Sequence, residues 1–125
     1  MLKAKSIDHV NLSVKNLEES VDFYNKLFGF ELRKDQPEEN SKIIGTDTIK
    51  LCLYEDPMID NGNKAGINHF GFHIENFEEI EINCKKNNVP ILYDGAMSWE
   101  KSRSIYIQDP NGNEIELSEM HGGGI

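Results

Sequence analysis

Two histidines and one glutamate occupy positions from which they could bind a metal ion. His9 lies in "IDHVNLSV", His69 in "INHFGFHI" and Glu116 in "NEIELSE". Apolar and polar residues alternate in each segment, so each of the three falls on the polar face of a predicted strand. Two imidazoles and a carboxylate, with other coordination positions open, form a known type of site for Fe, Mn, Zn or Ni. Such an ion binds substrate oxygens and acts as a Lewis acid.

The two histidines are equivalent in an internal repeat. Residues 7–20, "IDHVNLSVKNLEES", align without a gap on residues 67–80, "INHFGFHIENFEEI", after a shift of 60 positions. The shift places His9 on His69 and matches the apolar positions. It predicts two copies of one structural module. The alternative, that each histidine is simply a polar residue on a wet sheet face, does not explain this equivalence.

Each copy contains a strand followed by a helix. Asn16 and Asn76 are predicted N-caps, each with a glutamate three residues later. The buried face of the first helix is predicted from the helical spacing of Leu17, Val21, Tyr24, Leu27 and Phe28. Gly29 is predicted to terminate this helix. Three further strands are predicted in each copy. They lie near "FELRK", "SKIIG" and "TIKLCLYE", and at "VPILYD", "RSIYIQ" and "NEIELSE".

The predicted fold is therefore α+β, with two βαβββ modules at 1–58 and 65–121 in a single domain, 1–125. The apolar faces of the strands are expected to cover the helices, which leaves the polar faces for water or for a pocket. The turn-forming "DPNGN", 109–113, predicts a tight hairpin that sets Tyr106 and Glu116 on neighbouring strands.

Composition excludes several classes of partner. The net charge of −9 and the pI near 4.8 argue against a nucleic-acid partner and against an anionic membrane surface. No apolar run approaches the length of a membrane span, and the N-terminus shows no secretory apolar region. We therefore expect a cytoplasmic protein. Cys52 and Cys84 have no metal-like spacing and are predicted to be reduced thiols.

Several segments resemble a known family. "IDHVNLSV", "LEESVDFYNKLFGFEL", "INHFGFHI" and "SIYIQDPNGNEIELSE" are similar to the vicinal oxygen chelate superfamily. That group includes glyoxalase I, extradiol dioxygenases, fosfomycin-resistance thiol transferases, methylmalonyl-CoA epimerase and bleomycin-resistance proteins. The resemblance implies paired βαβββ modules whose mixed sheet curls into a cup around one divalent metal ion (Zn, Ni, Mn or Fe), with the helices on the outer face.

The resemblance also implies roles for single residues. It places His9, His69 and Glu116 at the ligand positions and Tyr106 close to substrate, where its hydroxyl could move protons. Candidate substrate contacts are Asn11, Lys50, His73, Arg103 and Ser104. Glyoxalase I-like members use a fourth ligand, a glutamate in the first module. Aligning "TIKL" on "EIEL" puts Lys50 opposite Glu116, and a lysine ammonium has no free lone pair for a metal.

Two functions follow from these observations. The first is a small metal-dependent enzyme acting on a small oxygenated substrate, by lyase, isomerase, dioxygenase or thiol-transferase chemistry. The second is a non-catalytic protein that sequesters a ligand in the manner of bleomycin-resistance proteins, which generally lack the metal ligands. A homodimer is expected in either case, because four strands per module leave sheet edges that a second chain could cover.

Overall fold

The structure of the chain is a computed structural model that describes residues 1–108, 110 and 112–122. Its strands are β1 Ala4–Val14, β2 Glu31–Gln36, β3 Ser41–Gly45, β4 Lys50–Glu55, β5 Gly66–Ile74, β6 Met97–Ser98, β7 Arg103–Gln108 and β8 Glu114–Ser118. The α-helices are α1 Leu17–Phe28 and α2 Ile80–Lys86, and short 3-10 turns occupy Pro37–Glu39 and Phe77–Glu79. Within these ranges no helix has both the length and the apolar character needed to cross a membrane.

The chain divides into two compact units. The N-terminal unit comprises His9–Asn68, and the C-terminal unit comprises Met1–Asp8 together with His69–Ile125. Backbone and side-chain bonds attach the first residues to the C-terminal unit. Glu75 N donates to Lys3 O at 2.9 Å, and Lys3 N donates to the Asn76 side chain at 2.8 Å.

The N-terminal unit pairs its strands in the order β2-β3-β4-β1. β1 and β4 run parallel, and the other neighbours are antiparallel. The helix α1 starts where predicted, because the Asn16 side chain accepts a 2.8 Å bond from Glu19 N. It ends at Gly29, whose φ of 69° lies in the left-handed region. The buried core contains Leu17, Ile44 and Leu53.

The C-terminal unit repeats this arrangement with the order β5-β8-β7-β6. β5 and β8 run parallel, whereas β7 is antiparallel to both of its neighbours. Its core packs α2 and the preceding 3-10 turn against the strands through Ile74, Phe77, Ile80, Cys84, Ile105 and Leu117. The α+β class and the order βαβββ in each half are confirmed. The predicted hairpin turn includes Asp109 and Asn111, which lie outside the described residues.

Three local predictions were wrong. "VPILYD" is not a strand, because Tyr93 and Asp94 have positive φ angles and turn the chain, and the short β6 takes that place. Asn76 is the N-cap residue of a 3-10 turn and not of an α-helix, and its side chain makes no capping bond there, because its oxygen accepts from Lys3 N. The predicted buried face of α1 stops short of its last turn, where Leu27 and Phe28 are exposed.

Candidate functional site

The C-terminal unit gathers polar side chains on one face of three neighbouring strands. In register, Glu116 of β8 lies between Gly71 of β5 and Tyr106 of β7, and Ser118 lies between His73 and Ser104. Alternation along each strand places the side chains at these positions on one face, together with His69. Glu116, Ser104, Ser118, His69 and Tyr106 are all buried, whereas His73 is half-buried. A buried polar face is unusual in a small core, which makes these residues the candidate site.

The centre of this face is the pair formed by His69 and Glu116. His69 Nε2 lies 3.2 Å from Glu116 Oε2, and the two residues are 9% and 1% exposed. The other carboxylate oxygen, Oε1, accepts a 2.6 Å hydrogen bond from Ser104 Oγ. A carboxylate this deeply buried is costly unless a cation or several donors compensate its charge. The pair therefore offers one nitrogen and one oxygen donor at a position where a cation would be stabilised.

Tyr106 lies beside the same pair. Its ring meets the His69 ring edge-on, with 5.6 Å between the centroids and 82° between the planes. Tyr106 also packs edge-on against Tyr93, at a centroid distance of 5.4 Å. The aromatic contacts fix the ring orientation. The Tyr106 hydroxyl thus belongs to a side chain held rigidly against a candidate ligand.

Arg103 is not brought to this face. Its guanidinium bonds to Glu119 at 2.9 and 2.7 Å, contacts Glu78, and lies 4.7 Å from the centre of the Phe77 ring. Arg103 and Ser104 are adjacent in β7, so their side chains leave on opposite faces. The guanidinium also lowers the pKa of the Glu119 carboxyl, chiefly through their hydrogen bond. The structure places Arg103 in an ion-pair cluster that links β7 to the 3-10 turn before α2.

In the N-terminal unit, His9 and Asn11 are buried on β1, with exposures of 1% and 6%, and Lys50 at the start of β4 is half-buried. The register corrects the sequence alignment of Lys50 with Glu116. Asn11 lies opposite Cys52, as Gly71 lies opposite Glu116, so Cys52 occupies the position equivalent to Glu116. By the same register Lys50 is equivalent to Glu114. The sequence alignment shifts β4 by two residues relative to β8. Because a shift of two residues keeps every side chain on the same face, the alternation of polar and apolar residues does not reveal it.

Two residues near the site were not among the predicted site residues. Trp99 Nε1 donates a 2.9 Å hydrogen bond to Ser104 Oγ, from a segment with no periodic pattern that could have indicated it. Ser118 is fully buried, and among the described residues its hydroxyl oxygen has no hydrogen-bond partner. In "NEIELSE" Ser118 lies two residues after Glu116, and this spacing places both on the same face of the strand.

Comparison with known proteins identifies the family. The sequence model of the Glyoxalase/Bleomycin resistance protein/Dioxygenase superfamily matches residues 6–117, and the chain belongs to that superfamily. The trivalent organoarsenical cleaving enzyme of Bacillus sp. (strain MD1) is 33% identical over 115 residues, which cover 87% of this chain and 70% of that protein. The metallothiol transferase FosB of Staphylococcus epidermidis is 31% identical over 116 residues, which cover 90% of this chain and 82% of that protein.

Solved structures show the same fold. Methylmalonyl-CoA epimerase from Mycobacterium tuberculosis superposes with a TM-score of 0.77 at 17% identity, covering 94% of this chain and 89% of the epimerase. At this identity the likeness concerns the fold and not the reaction. It agrees with the paired βαβββ modules derived above.

Proposed function

We propose that this protein is a small metal-dependent enzyme that binds one divalent ion through His9, His69 and Glu116 and acts on a small oxygenated substrate. The observation that carries the proposal is the buried contact between His69 Nε2 and Glu116 Oε2 at 3.2 Å. An imidazole and a carboxylate, both shielded from water, are typical ligands of Zn, Mn, Fe and Ni.

The second imidazole of the proposal comes from His9. It occupies in β1 the repeat position that His69 occupies in β5, and it is 1% exposed. Each of the three buried side chains offers one ligand atom. When bound, the ion would act as a Lewis acid toward a substrate oxygen. Cys52, and not a carboxylate, stands at the N-terminal position equivalent to Glu116. Among the described residues the group of possible ligand atoms comprises His9, His69 and Glu116, which supports three protein ligands and positions left open for substrate.

The remaining residues of the proposal act on the substrate. Tyr106, held edge-on against His69, is the proposed proton donor or acceptor through its hydroxyl. Asn11, Lys50, His73 and Ser104 are retained as candidate substrate contacts from the sequence. Arg103 is left out, because Glu119 and Glu78 already bind its guanidinium.

The relatives suggest which substrates to try first. We infer a reaction of the thiol-transfer, carbon–arsenic cleavage or dioxygenase type, because a site without a second carboxylate departs from the glyoxalase I pattern. This choice of reaction types is supported by the names of three relatives: the organoarsenical cleaving enzyme, the metallothiol transferase and a catechol-2,3-dioxygenase of Bacillus subtilis. A cytoplasmic location and a homodimer complete the proposal, and light scattering coupled to size-exclusion chromatography tests the dimer.

Metal content tests the proposal directly. We expect about one transition-metal ion per chain in the wild-type protein, measured by mass spectrometry after reconstitution, and none in Glu116→Gln. Glu114→Gln is the matched control, because Glu114 lies two residues earlier in β8 and bonds to Tyr93 Oη. A wild-type protein that binds no metal contradicts the proposal and favours the sequestering protein.

Activity is then measured with four candidate substrates. They are fosfomycin with a thiol, a trivalent organoarsenical, a catechol with oxygen, and the hemithioacetal of glutathione. Oxygen consumption in the presence of a catechol marks a dioxygenase, and product analysis distinguishes the other three reactions. Turnover of the hemithioacetal alone would contradict the inference that the reaction is of one of the other three types.

A further inference from the structure

A chain of three hydrogen-bonded side chains connects the protein surface to the buried carboxylate. Trp99 Nε1 donates to Ser104 Oγ at 2.9 Å, and Ser104 Oγ donates to Glu116 Oε1 at 2.6 Å. Glu116 Oε2 in turn lies 3.2 Å from His69 Nε2. Trp99 is 44% exposed, whereas Ser104 and Glu116 are 0% and 1% exposed. We call these three residues the Trp99 relay.

The chemistry of the donors fixes the direction of the bonds from Trp99 to Ser104 and from Ser104 to Glu116. An indole N–H only donates, so the Ser104 oxygen must accept from Trp99. The hydroxyl proton of Ser104 is then free to point at Glu116, and 2.6 Å is the length expected for an O–H donor on a charged carboxylate. Trp99 thus determines the orientation of a hydroxyl that it shares with the buried carboxylate.

The relay also differentiates the two oxygens of Glu116. Oε1 accepts from Ser104, whereas Oε2 lies 3.2 Å from His69 Nε2, so Oε2 is the oxygen that faces the other proposed ligand. Hydrogen bonds to a ligating carboxylate fix its orientation, and their removal typically weakens metal binding about 10–100-fold. The same bonds restrict the rotation of the carboxylate about its last torsion angle.

We propose that Trp99 is a positioning residue for the metal ligand Glu116 and acts through Ser104. This inference rests on the proposed function, because it assigns Glu116 as a ligand. Trp99 lies in the segment between β6 and β7, where its backbone N donates to Ser102 O at 2.8 Å. The relay therefore couples the conformation of this partly exposed segment to the strength of metal binding.

The chain contains a single tryptophan, so all tryptophan emission comes from Trp99. We expect Mn²⁺, titrated into the metal-free wild-type protein, to change the Trp99 emission. Ser104→Ala removes the link between the indole and Glu116, and the emission should then respond much less to the same degree of Mn²⁺ saturation. This signature does not depend on knowing the substrate.

Mn²⁺ affinity measured by calorimetry tests the mechanism of coupling. Ser104→Ala should weaken binding about 10–100-fold. Trp99→Phe, which keeps an aromatic ring but removes the donor, should also weaken binding, by no more than Ser104→Ala does. Because Trp99 acts through Ser104, the double variant should bind no more weakly than Ser104→Ala. Tyr93→Phe is the control, since it removes a hydrogen bond to Glu114 in the same unit and should leave Mn²⁺ affinity unchanged.

Three results would overturn the inference. Wild-type affinity in Trp99→Phe, with a lower unfolding midpoint of the metal-free protein, assigns Trp99 a structural role only. Additive losses in the double variant show that Trp99 does not act through Ser104. A wild-type protein that binds no Mn²⁺ or other divalent ion removes the proposed function and this inference together, whereas the first two results leave the proposed function intact.

Discussion

Cys52 occupies in β4 the position that Glu116 occupies in β8. Asn11 is the parallel partner of Cys52, and Gly71 is the parallel partner of Glu116. On the antiparallel side the partners are Ile43 and Tyr106. The two halves thus keep the same strand pairing, but the N-terminal unit replaces an acid and a phenol with a thiol and an apolar side chain. Of these two equivalent positions, only the one in the C-terminal unit carries a carboxylate.

Replacing Cys52 by alanine should leave metal binding intact. The thiol is 0% exposed and packs as a small apolar side chain, so its loss should lower the free energy of unfolding by about 1–2 kcal/mol. Metal content should stay at the wild-type level, as measured by mass spectrometry beside urea unfolding. Loss of the ion in Cys52→Ala, with little change in stability, would contradict the three-ligand proposal.

Thiol accessibility provides a second measurement on the same residue. Cys52 and Cys84 are both buried free thiols, and burial raises the pKa of Cys84. A larger pKa means less of the reactive thiolate at neutral pH. We expect a disulfide reagent to react slowly with the native protein and to reveal two thiols only after unfolding. Fast reaction of one thiol in the native state would show that a buried position opens readily.

The sequence predicted most of the fold because local and repeated signals agreed. The repeat aligned His9 with His69, the alternation defined the polar faces, and Asn16 with Gly29 marked the ends of α1. The prediction of a strand at "VPILYD" failed because apolar content does not reveal the positive φ angles of Tyr93 and Asp94. Backbone conformations of this kind depend on the tertiary contacts of the turn.

The site was predicted less completely than the fold. The predicted pairing of the last two strands set Tyr106 and Glu116 side by side, and the register of β7 and β8 confirms it. Strand parity could not place Trp99, which reaches Ser104 from an irregular segment. Nor could it distinguish Lys50 from Cys52 as the residue equivalent to Glu116, because a displacement of two residues preserves the face.

The turn between β3 and β4 should require glycine at position 45. Gly45 has a φ of 149°, and an added Cβ would lie 1.9 Å from the carbonyl oxygen of Ile49. Gly45→Ala should therefore lower the free energy of unfolding by about 2–3 kcal/mol or more, measured by urea unfolding. Gly62→Ala is the control, because Gly62 also has a positive φ, 116°, but open space around its Cα. Equal losses in the two variants would show that backbone strain alone, and not the clash, sets the effect.

Arg103 should stabilise the fold without contributing to the site. Arg103→Gln is expected to lower the unfolding midpoint and to leave metal affinity unchanged. Because the folded protein holds the pKa of Glu119 below its usual value of 4.5, this pair stabilises the protein above that pH and loses its effect as the pH falls through the lowered pKa. The difference between wild type and variant should thus shrink on acidification. A loss of metal affinity, or a difference that does not depend on pH, would contradict this role.

Tyr54 should make the free energy of unfolding depend on pH in the alkaline range. Burial, followed by the nearby charge of Glu39, raises the pKa of the Tyr54 phenol from 10.0 to about 12, and its hydroxyl donates to Glu39 Oε2 at 3.2 Å. A raised pKa favours the protonated phenol in the folded state, so this stabilisation is complete below pH 10.0 and is lost as the pH rises toward 12. Tyr54→Phe should therefore reduce the fall in stability between these two values, as measured by urea unfolding at a series of pH values. In a spectrophotometric titration of the four tyrosines, the transition near pH 12 should disappear in Tyr54→Phe and move to lower pH in Glu39→Gln. An unchanged high-pH transition in Tyr54→Phe would show that another tyrosine produces it.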